Sequence, residues 1–276
     1  MATYPIEKIQ GQVMPVNSFV VHGPGGIVVI DAMLTISDAR LVRHVISDSG
    51  QPLAGVVITH PHPDHYAGAA EIVGDDDVPI VATRAVDHVI RRDDDLKNTI
   101  VGPMMGNEWP TRRPFPNQTV APDASVQLGG IEFAVIELGP GESEVDTIWR
   151  LDETVLFAGD VVYSGMHAYL ADGHWREWLD LLSELETRLP NDAILHIGHG
   201  EPGTKALIAN QRRYIDTFIS AITANMESVA AGDHARVLQA MQALLPTDDL
   251  LFLTDLSIEP VLAKLQTESS HPDRRE

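Results

Sequence analysis

Strand and helix signals alternate in two successive halves of this chain, which predicts an α/β sandwich with sheets inside, helices outside and a helical C-terminal extension. Two further observations agree. Of the 276 residues 44% are apolar, enough for a sizeable core, and the short β-branched runs are closed by Gly, Pro or Asp turn chemistry. Residues 17–32 place two such runs on either side of Gly23-Pro24-Gly25-Gly26, a hairpin signal. A helix is expected over 36–49, with Ser37 as N-cap and Leu41, Val45 and Ile46 on one side. Residues 53–59 form a short buried strand, a helix begins near Tyr66, and 78–83 is another strand. Residues 93–122 show no periodicity. They carry Pro103, Pro110, Pro114, Pro116 and Pro122 beside Met104, Met105, Trp109 and Phe115, and are expected to be a long loop acting as a flap or lid.

Strand signals return at 125–128, 131–138, 147–151 and 154–158, with turns at Gly129-Gly130 and Asp152-Glu153. A helix over 175–189 and a strand over 193–197 follow. From Thr204 onward the pattern is helical, in three segments separated at Gly232 and Pro246, and the polar residues 268–276 are expected to be disordered. No internal repeat is present.

Lys and Arg number 19 against 40 Asp and Glu, a formal charge of −21. Such a surface repels phosphate backbones and anionic lipid, which argues against nucleic-acid and membrane partners. With no cysteine, disulfides, thiolate ligands and a cysteine nucleophile are excluded. No apolar run approaches the roughly 18 residues of a membrane span, and the start lacks a basic segment followed by an apolar one. A soluble, cytoplasmic protein is expected.

The strongest chemical signal is Thr59-His60-Pro61-His62-Pro63-Asp64-His65, which packs four metal-ligand side chains directly after an apolar strand. Imidazoles two apart, with a carboxylate and a third imidazole beyond, converge on two adjacent cations if the backbone turns sharply, and Pro61 and Pro63 suit such a turn.

In motif order, roughly over residues 10–203, the chain resembles the metallo-β-lactamase superfamily of dinuclear metallohydrolases. That resemblance implies an αββα sandwich over 1–203, with a helical region packed on it over 204–267. The family's early cluster matches His60, His62, Asp64 and His65; its bridging aspartate matches Asp160 in Leu156-Phe157-Ala158-Gly159-Asp160; its last histidine matches His199. The early strand ending in Asp31 is similar to the one whose aspartate supports the metal loop. One position departs: where the family usually has a histidine, this chain reads Gly139-Pro140-Gly141-Glu142-Ser143. Glu142 as a ligand is chemically sound and is similar to the alkylsulfatase branch; the competing reading makes it a solvated turn residue. Glu144 or Asp146 could substitute, although Asp146 is expected to anchor the loop.

The resemblance implies a metal-dependent hydrolase. His60, His62 and Glu142 hold one divalent ion; Asp64, His65 and His199 hold the other; Asp160 lies between. Zinc is first choice, with manganese or iron as alternatives. A bridging hydroxide attacks a small ester, lactone or thioester, and Asp64 acts as the catalytic residue that orients the water and passes on its proton. Replacing an imidazole by Glu142 lowers the core's formal charge by one unit, to neutrality. Alternative readings are an alkylsulfatase-like sulfate ester hydrolase, an iron-dependent persulfide dioxygenase-like oxygenase, and a non-catalytic metal-binding protein.

Tyr163, His167 and Tyr169 follow Asp160 on the loop leaving the metal-bearing strand, where Tyr163 and His167 are candidates to bind substrate. His174 and Trp175 are read as a helix start, His196 as a core histidine, Tyr66 as helix core or support for the metal loop, and Asp75 to Asp77 and Asp93 to Asp95 as solvated faces. The stripe of Ile208, Ile215, Phe218, Ile219 and Ile222 is read as packing or a subunit contact, the latter in a homodimer.

Overall fold

The computed structural model describes residues 4–270. Its strands form two six-stranded sheets. The first runs in chain order through β1 (Ile6–Gln10), β2 (Asn17–Gly23), β3 (Gly26–Ile30), β4 (Leu53–Val57), β5 (Ile80–Thr83) and β6 (Gln118–Val120). Pairing is antiparallel from β1 to β3 and parallel from β3 to β6. Each parallel step needs a crossover. These are α1 (Ile36–Ser49), the short pair α2 (Pro63–Tyr66) and α3 (Ala69–Val73), and α4 (Arg84–Met105).

The second sheet contains β7 (Ser125–Leu128), β8 (Ile131–Gly139), β9 (Asp146–Arg150), β10 (Val155–Gly159), β11 (Ile194–Ile197) and β12 (Gly203–Thr204), in the spatial order β12-β11-β10-β9-β8-β7. Only β10 and β11 pair in parallel, joined across α5 (Trp175–Arg188). Four helices complete the described chain: α6 (Ala206–Ala224), α7 (Met226–Ala230), α8 (Ala235–Leu244) and α9 (Leu251–Ser270). No helix among the described residues is long and apolar enough to cross a membrane.

The period of two along the strands builds the sandwich. Phe19, Val21, Val28 and Ile30 turn toward the second sheet and meet Phe133, Val135, Trp149 and Phe157. Val20, Ile27 and Val29 turn the other way, into the core beneath the helices. His196 lies in this apolar layer, its ring centroid 5.1 Å from Phe19 and 5.0 Å from Phe157. Burial pushes its imidazole down to about 4 from an ordinary 6.5. Above pH 6.5 the ring is neutral folded or unfolded; below it the unfolded chain takes up a proton that the folded one refuses until about pH 4. Stability therefore falls as pH drops through that window. His196→Leu is expected to recover about 1–3 kcal/mol at pH 4 and nothing at neutral pH, read by urea unfolding at the two pH values.

Several expectations are corrected. Residues 93–105 are not a loop but the latter part of α4, and only the stretch after Gly106 is irregular. Trp109 and Phe115 do not close over anything. Trp109 Nε1 donates to Asn98 Oδ1 at 2.7 Å, and Arg91 sits 5.0 Å over the Phe115 ring. Nor is the whole run Asp93 to Asp95 solvated: Asp94 is buried, accepting from Arg113 Nε and Nη2, each at 2.8 Å, and from Tyr66 Oη at 2.9 Å. Tyr66 is thus core. Thr35, rather than Ser37, caps α1 through Oγ1. The C-terminal region holds four helices rather than three, the added break falling at Asn225. Its apolar stripe is used inside the chain, Ile208, Ile215, Phe218 and Ile222 being fully buried. Of the expected disordered tail, 268–270 continue α9 and the remainder lies outside the described residues.

Candidate metal centre

The ligand candidates gather where β4, β8, β10 and β11 end, between the two sheets. The chain leaves β4 and bends at His60, and His62 is in extended backbone. Pro63 then starts α2, its missing N–H harmless in a first turn, and places Asp64 and His65 on that turn. Asp160 follows a register shift at Gly159, whose φ of 49° turns the chain inward. Gly198 precedes His199; a Cβ there would fall onto Asp160 Oδ1 and 2.6 Å from His65 Cε1, so only glycine admits this approach. Glu142 is set by Asp146, whose carboxylate accepts from Glu142 N at 2.6 Å, Ser143 N at 3.2 Å and Ser143 Oγ at 2.8 Å. Burial pushes the Asp146 carboxyl up to about 7, the bonds from Ser143 opposing it.

Two groups result, His60 with His62 and Glu142, and Asp64 with His65, Asp160 and His199, the donor atoms in each lying within 4.8 Å of one another. In the first, Glu142 Oε2 is 2.9 Å from His62 Nδ1 and 3.6 Å from His60 Nε2. In the second, His199 Nε2 lies 3.1 Å from Asp64 Oδ2 and 3.2 Å from Asp160 Oδ2, and His65 Nε2 lies 3.3 Å from Asp160 Oδ1. Asp160 Oδ2 also stands 4.0 Å from His60 Nε2, between the groups.

The residues present fit a pair of cations. His60 Nε2, His65 Nε2, Glu142 Oε2 and Asp160 Oδ1 are buried without a hydrogen-bond partner, a cost that a coordinated ion would remove. The outward nitrogen of each imidazole is occupied, which directs the inward lone pair. His65 Nδ1 lies 2.8 Å from Asp31 Oδ2 and His199 Nδ1 donates to Pro15 O at 2.7 Å. His60 Nδ1 lies 3.0 Å from Thr59 Oγ1, which itself donates to Asp31 Oδ2. The electrostatics agree. Burial opposes charge on His199, yet Asp160 and Asp64 push its imidazole up to about 10. Asp160 stays well below the carboxylate range, the His199 and His65 imidazoles outweighing its burial. Glu142 is pushed up by burial, tempered by His62.

His62 is reached differently, and through a residue that the sequence did not single out. Its Nε2 lies 3.0 Å from Asp172 Oδ2, leaving Nδ1 for the centre. An isolated aspartate in a loop carries no spacing signal; only the fold brings it to the imidazole. Asp172→Asn is expected to weaken metal affinity about 10- to 100-fold, the usual effect of losing a carboxylate behind a ligand imidazole, measured by competition with a chelating dye.

Tyr163 lines the cavity above the centre and is tied to the ligands, its hydroxyl 2.8 Å from Asp160 Oδ2 and 3.1 Å from Glu142 Oε1, its ring stacked on His199 at 5.1 Å. His167 is not brought to the centre. Fully buried, it places Nδ1 3.0 Å from Tyr214 Oη and Nε2 3.0 Å from Thr247 O, fastening the loop after β10 to the C-terminal helices. Burial lowers its affinity for a proton, so it is a neutral structural link and its expected substrate contact is withdrawn. Tyr169 does border the cavity, beside His62, and His174 precedes α5 as expected.

Comparison with known proteins places this geometry. Hydroxyacylglutathione hydrolase from Shewanella pealeana is 28% identical over 63% of this chain and 56% of its own length. Hydroxyacylglutathione hydrolase 2 from Vibrio vulnificus is 26% identical over 61% and 56%. The chain thus spans little more than half the length of these curated relatives. Among solved structures, a beta-lactamase domain protein from Burkholderia ambifaria superposes with a TM-score of 0.69 at 17% identity, covering 97% of this chain and 86% of that one. A double mutant of a sec-alkyl sulfatase gives 0.64 at 16%, covering 100% and 51%. These likenesses show the fold. Residues 11–199, which hold every ligand candidate, match the sequence model of the Metallo-beta-lactamase superfamily, and the chain belongs to that superfamily.

Proposed function

We propose that the chain is a dinuclear metal-dependent hydrolase of small carboxyl esters, lactones or thioesters. The observation that carries this reading is the pair of adjacent ligand groups, with four buried polar atoms left unpartnered and five of the seven residues lining one cavity. Family membership and the relatives named hydroxyacylglutathione hydrolases support it. His60, His62 and Glu142 hold one ion, Asp64, His65 and His199 the other, and Asp160 is shared; zinc is the first choice, before manganese or iron. Bound there, two divalent ions supply charge that acidifies a water and stabilises the developing negative charge on the carbonyl oxygen and leaving group.

Asp64 lines the cavity with its Oδ2 held by His199, so its carboxylate orients the attacking water and accepts its proton. The water oxygen bonds to the carbonyl carbon, the C–O or C–S bond breaks, and the leaving oxygen or sulfur takes the proton from Asp64. Tyr163, buried beside Asp160 and Glu142, keeps its phenol protonated far above neutral pH and steadies both carboxylates. The charge of −21 disfavours phosphate-rich polymers, which it repels over a Debye length of about 8 Å. Alkyl-sulfate hydrolysis is the second reading, favoured by Glu142 among the ligand candidates.

The test is elemental analysis after reconstitution with zinc, manganese or iron, paired with kcat/KM on thioesters, lactones, carboxyl esters, phosphodiesters and alkyl sulfates. Two ions per chain and preference for a carboxyl substrate are expected. Trace metal only, or a clear preference for a phosphodiester or alkyl sulfate, overturns the proposal.

A further inference from the structure

His62, Asp64, Glu142, Asp160 and His199 line a cavity of about 200 Å3 that two helices far apart in the sequence, α4 and α9, also wall. From α4 it receives Lys97, Ile100 and Met104; from α9, Phe252, Leu253 and Leu256. Four of these are large apolar side chains left in water: Ile100 is 54% exposed, Met104 54%, Phe252 46% and Leu256 52%. Only seven exposed large apolar side chains occur among the described residues, so more than half of them converge on this mouth. Single exposed apolar groups are ordinary on a protein surface, whereas a cluster continuous with a reactive centre marks a surface that something else covers.

We propose that this cleft takes a flexible aliphatic chain attached to the scissile ester or thioester; the inference rests on the hydrolase reading and names its substrate class. The walls explain the choice. Ile, Leu and Met side chains offer adaptable dispersion contacts and no hydrogen bonds, which suits methylenes and penalises a polar, charged carrier. The polar groups lie below, at the centre, where Asp64, Glu142 and Asp160 line the same cavity. Lys97 is the one lysine or arginine among the described lining residues, so the cleft tolerates at most a single negative charge near its rim. The residues that interrupt the apolar stripe of α4 fit this arrangement: Asp94 is neutralised inside by Arg113, and Lys97 faces the cavity.

The chain could belong to the acyl group or to the leaving alcohol or thiol, and the experiment separates the two. On the metal-reconstituted protein, kcat/KM is measured for thioesters lengthened from acetyl to decanoyl on a fixed short thiol, then for acetyl thioesters of lengthening alkyl thiols, with a hydroxyacylglutathione thioester alongside. The expected result is a rise of about two- to fourfold per methylene in one series, a slope set by the burial of a CH2 group. That slope should flatten in the double variant Ile100→Asn, Leu256→Asn, whose exposed positions leave the core intact. Independently, N-alkyl acetamides from methyl to octyl should bind the metal-depleted protein with affinity rising along the series, read by calorimetry.

Hydrolysis of short thioesters with no dependence on length in either series, or a glutathione thioester surpassing every alkyl one, overturns the cleft assignment while leaving the hydrolase intact. Amide binding that rises with length, with no hydrolysis of any ester, supports the cleft and overturns the hydrolase. A flat amide series together with flat kinetics removes the aliphatic-chain proposal altogether.

Discussion

On the proposed dinuclear reading, Asp160→Asn is expected to leave the protein folded, to drop metal content from two ions per chain to one or none, and to lower kcat about 1,000-fold. The position explains the size. One oxygen of Asp160 lies 3.3 Å from His65 Nε2 and the other lies 3.2 Å from His199 Nε2 and 4.0 Å from His60 Nε2, so the carboxylate answers to imidazoles of both groups. Its carboxyl is held well below the ordinary range although buried, because neighbouring imidazoles favour the anion. An amide keeps the shape but loses the negative charge, leaving only a weak neutral oxygen ligand where the two groups meet. A thousandfold is roughly 4 kcal/mol, within the several kcal/mol that metal-ion stabilisation supplies. Elemental analysis and kinetics on the same preparation check it, with circular dichroism to establish folding. Two ions and activity within about tenfold of the parent would show that Asp160 is not shared.

Asp31→Ala should produce the largest stability loss of any single substitution near the centre, about 3–5 kcal/mol. Asp31 is buried, and its carboxylate accepts from Thr59 N, from Thr59 Oγ1 and from His65 Nδ1, each at 2.8 Å. Truncation strands all three donors away from water at about 1–3 kcal/mol each, partly relieved by rearrangement. The backbone adds to the cost, since Asp31 has φ of 61°, a conformation that Asp and Asn tolerate and Ala resists. Asp31→Asn should regain part of the loss, retaining an acceptor and the backbone preference. Denaturant midpoints of the three proteins measure the series, and a loss for Asp31→Ala below about 1 kcal/mol contradicts the account.

Much of the centre was legible because its ligands are announced locally. His60 to His65 stand directly after an apolar strand, and Asp160 and His199 each follow a short, mostly apolar strand. Glu142 could be singled out from its Gly-Pro-Gly approach, and the structure sets it beside His60 and His62. What stayed hidden has physical causes. Helix α4 was missed because its inward stripe, Val86, Val89 and Ile90, runs into the charge of Asp94 and does not resume as a buried row, and because Pro103 sits in its last turns. An inward charge reads as loop until its partner, here Arg113, is known. Strands β1, β6 and β12 are short and owe their extension to the neighbour they pair with. Asp172 and the role of His167 depend on contacts across 110 and 80 positions of sequence, which no local pattern contains.

The straddling of two sheets by one centre has a consequence for the order in which the molecule can assemble. Residues 60–65 come off the first sheet, whereas Glu142, Asp160 and His199 come off the second, and even the orientation of His199 waits on the carbonyl of Pro15. No short stretch of nascent chain owns a complete cation site, so ions cannot nucleate the fold as they do in small domains where the ligands lie close together. On the proposed reading they act instead as a late rivet. Binding should leave the rate of refolding nearly unchanged and slow the rate of unfolding, because the ligands come together only after the sheets have docked. The ion content of a preparation would then report how durably its two halves stay joined as much as how active it is.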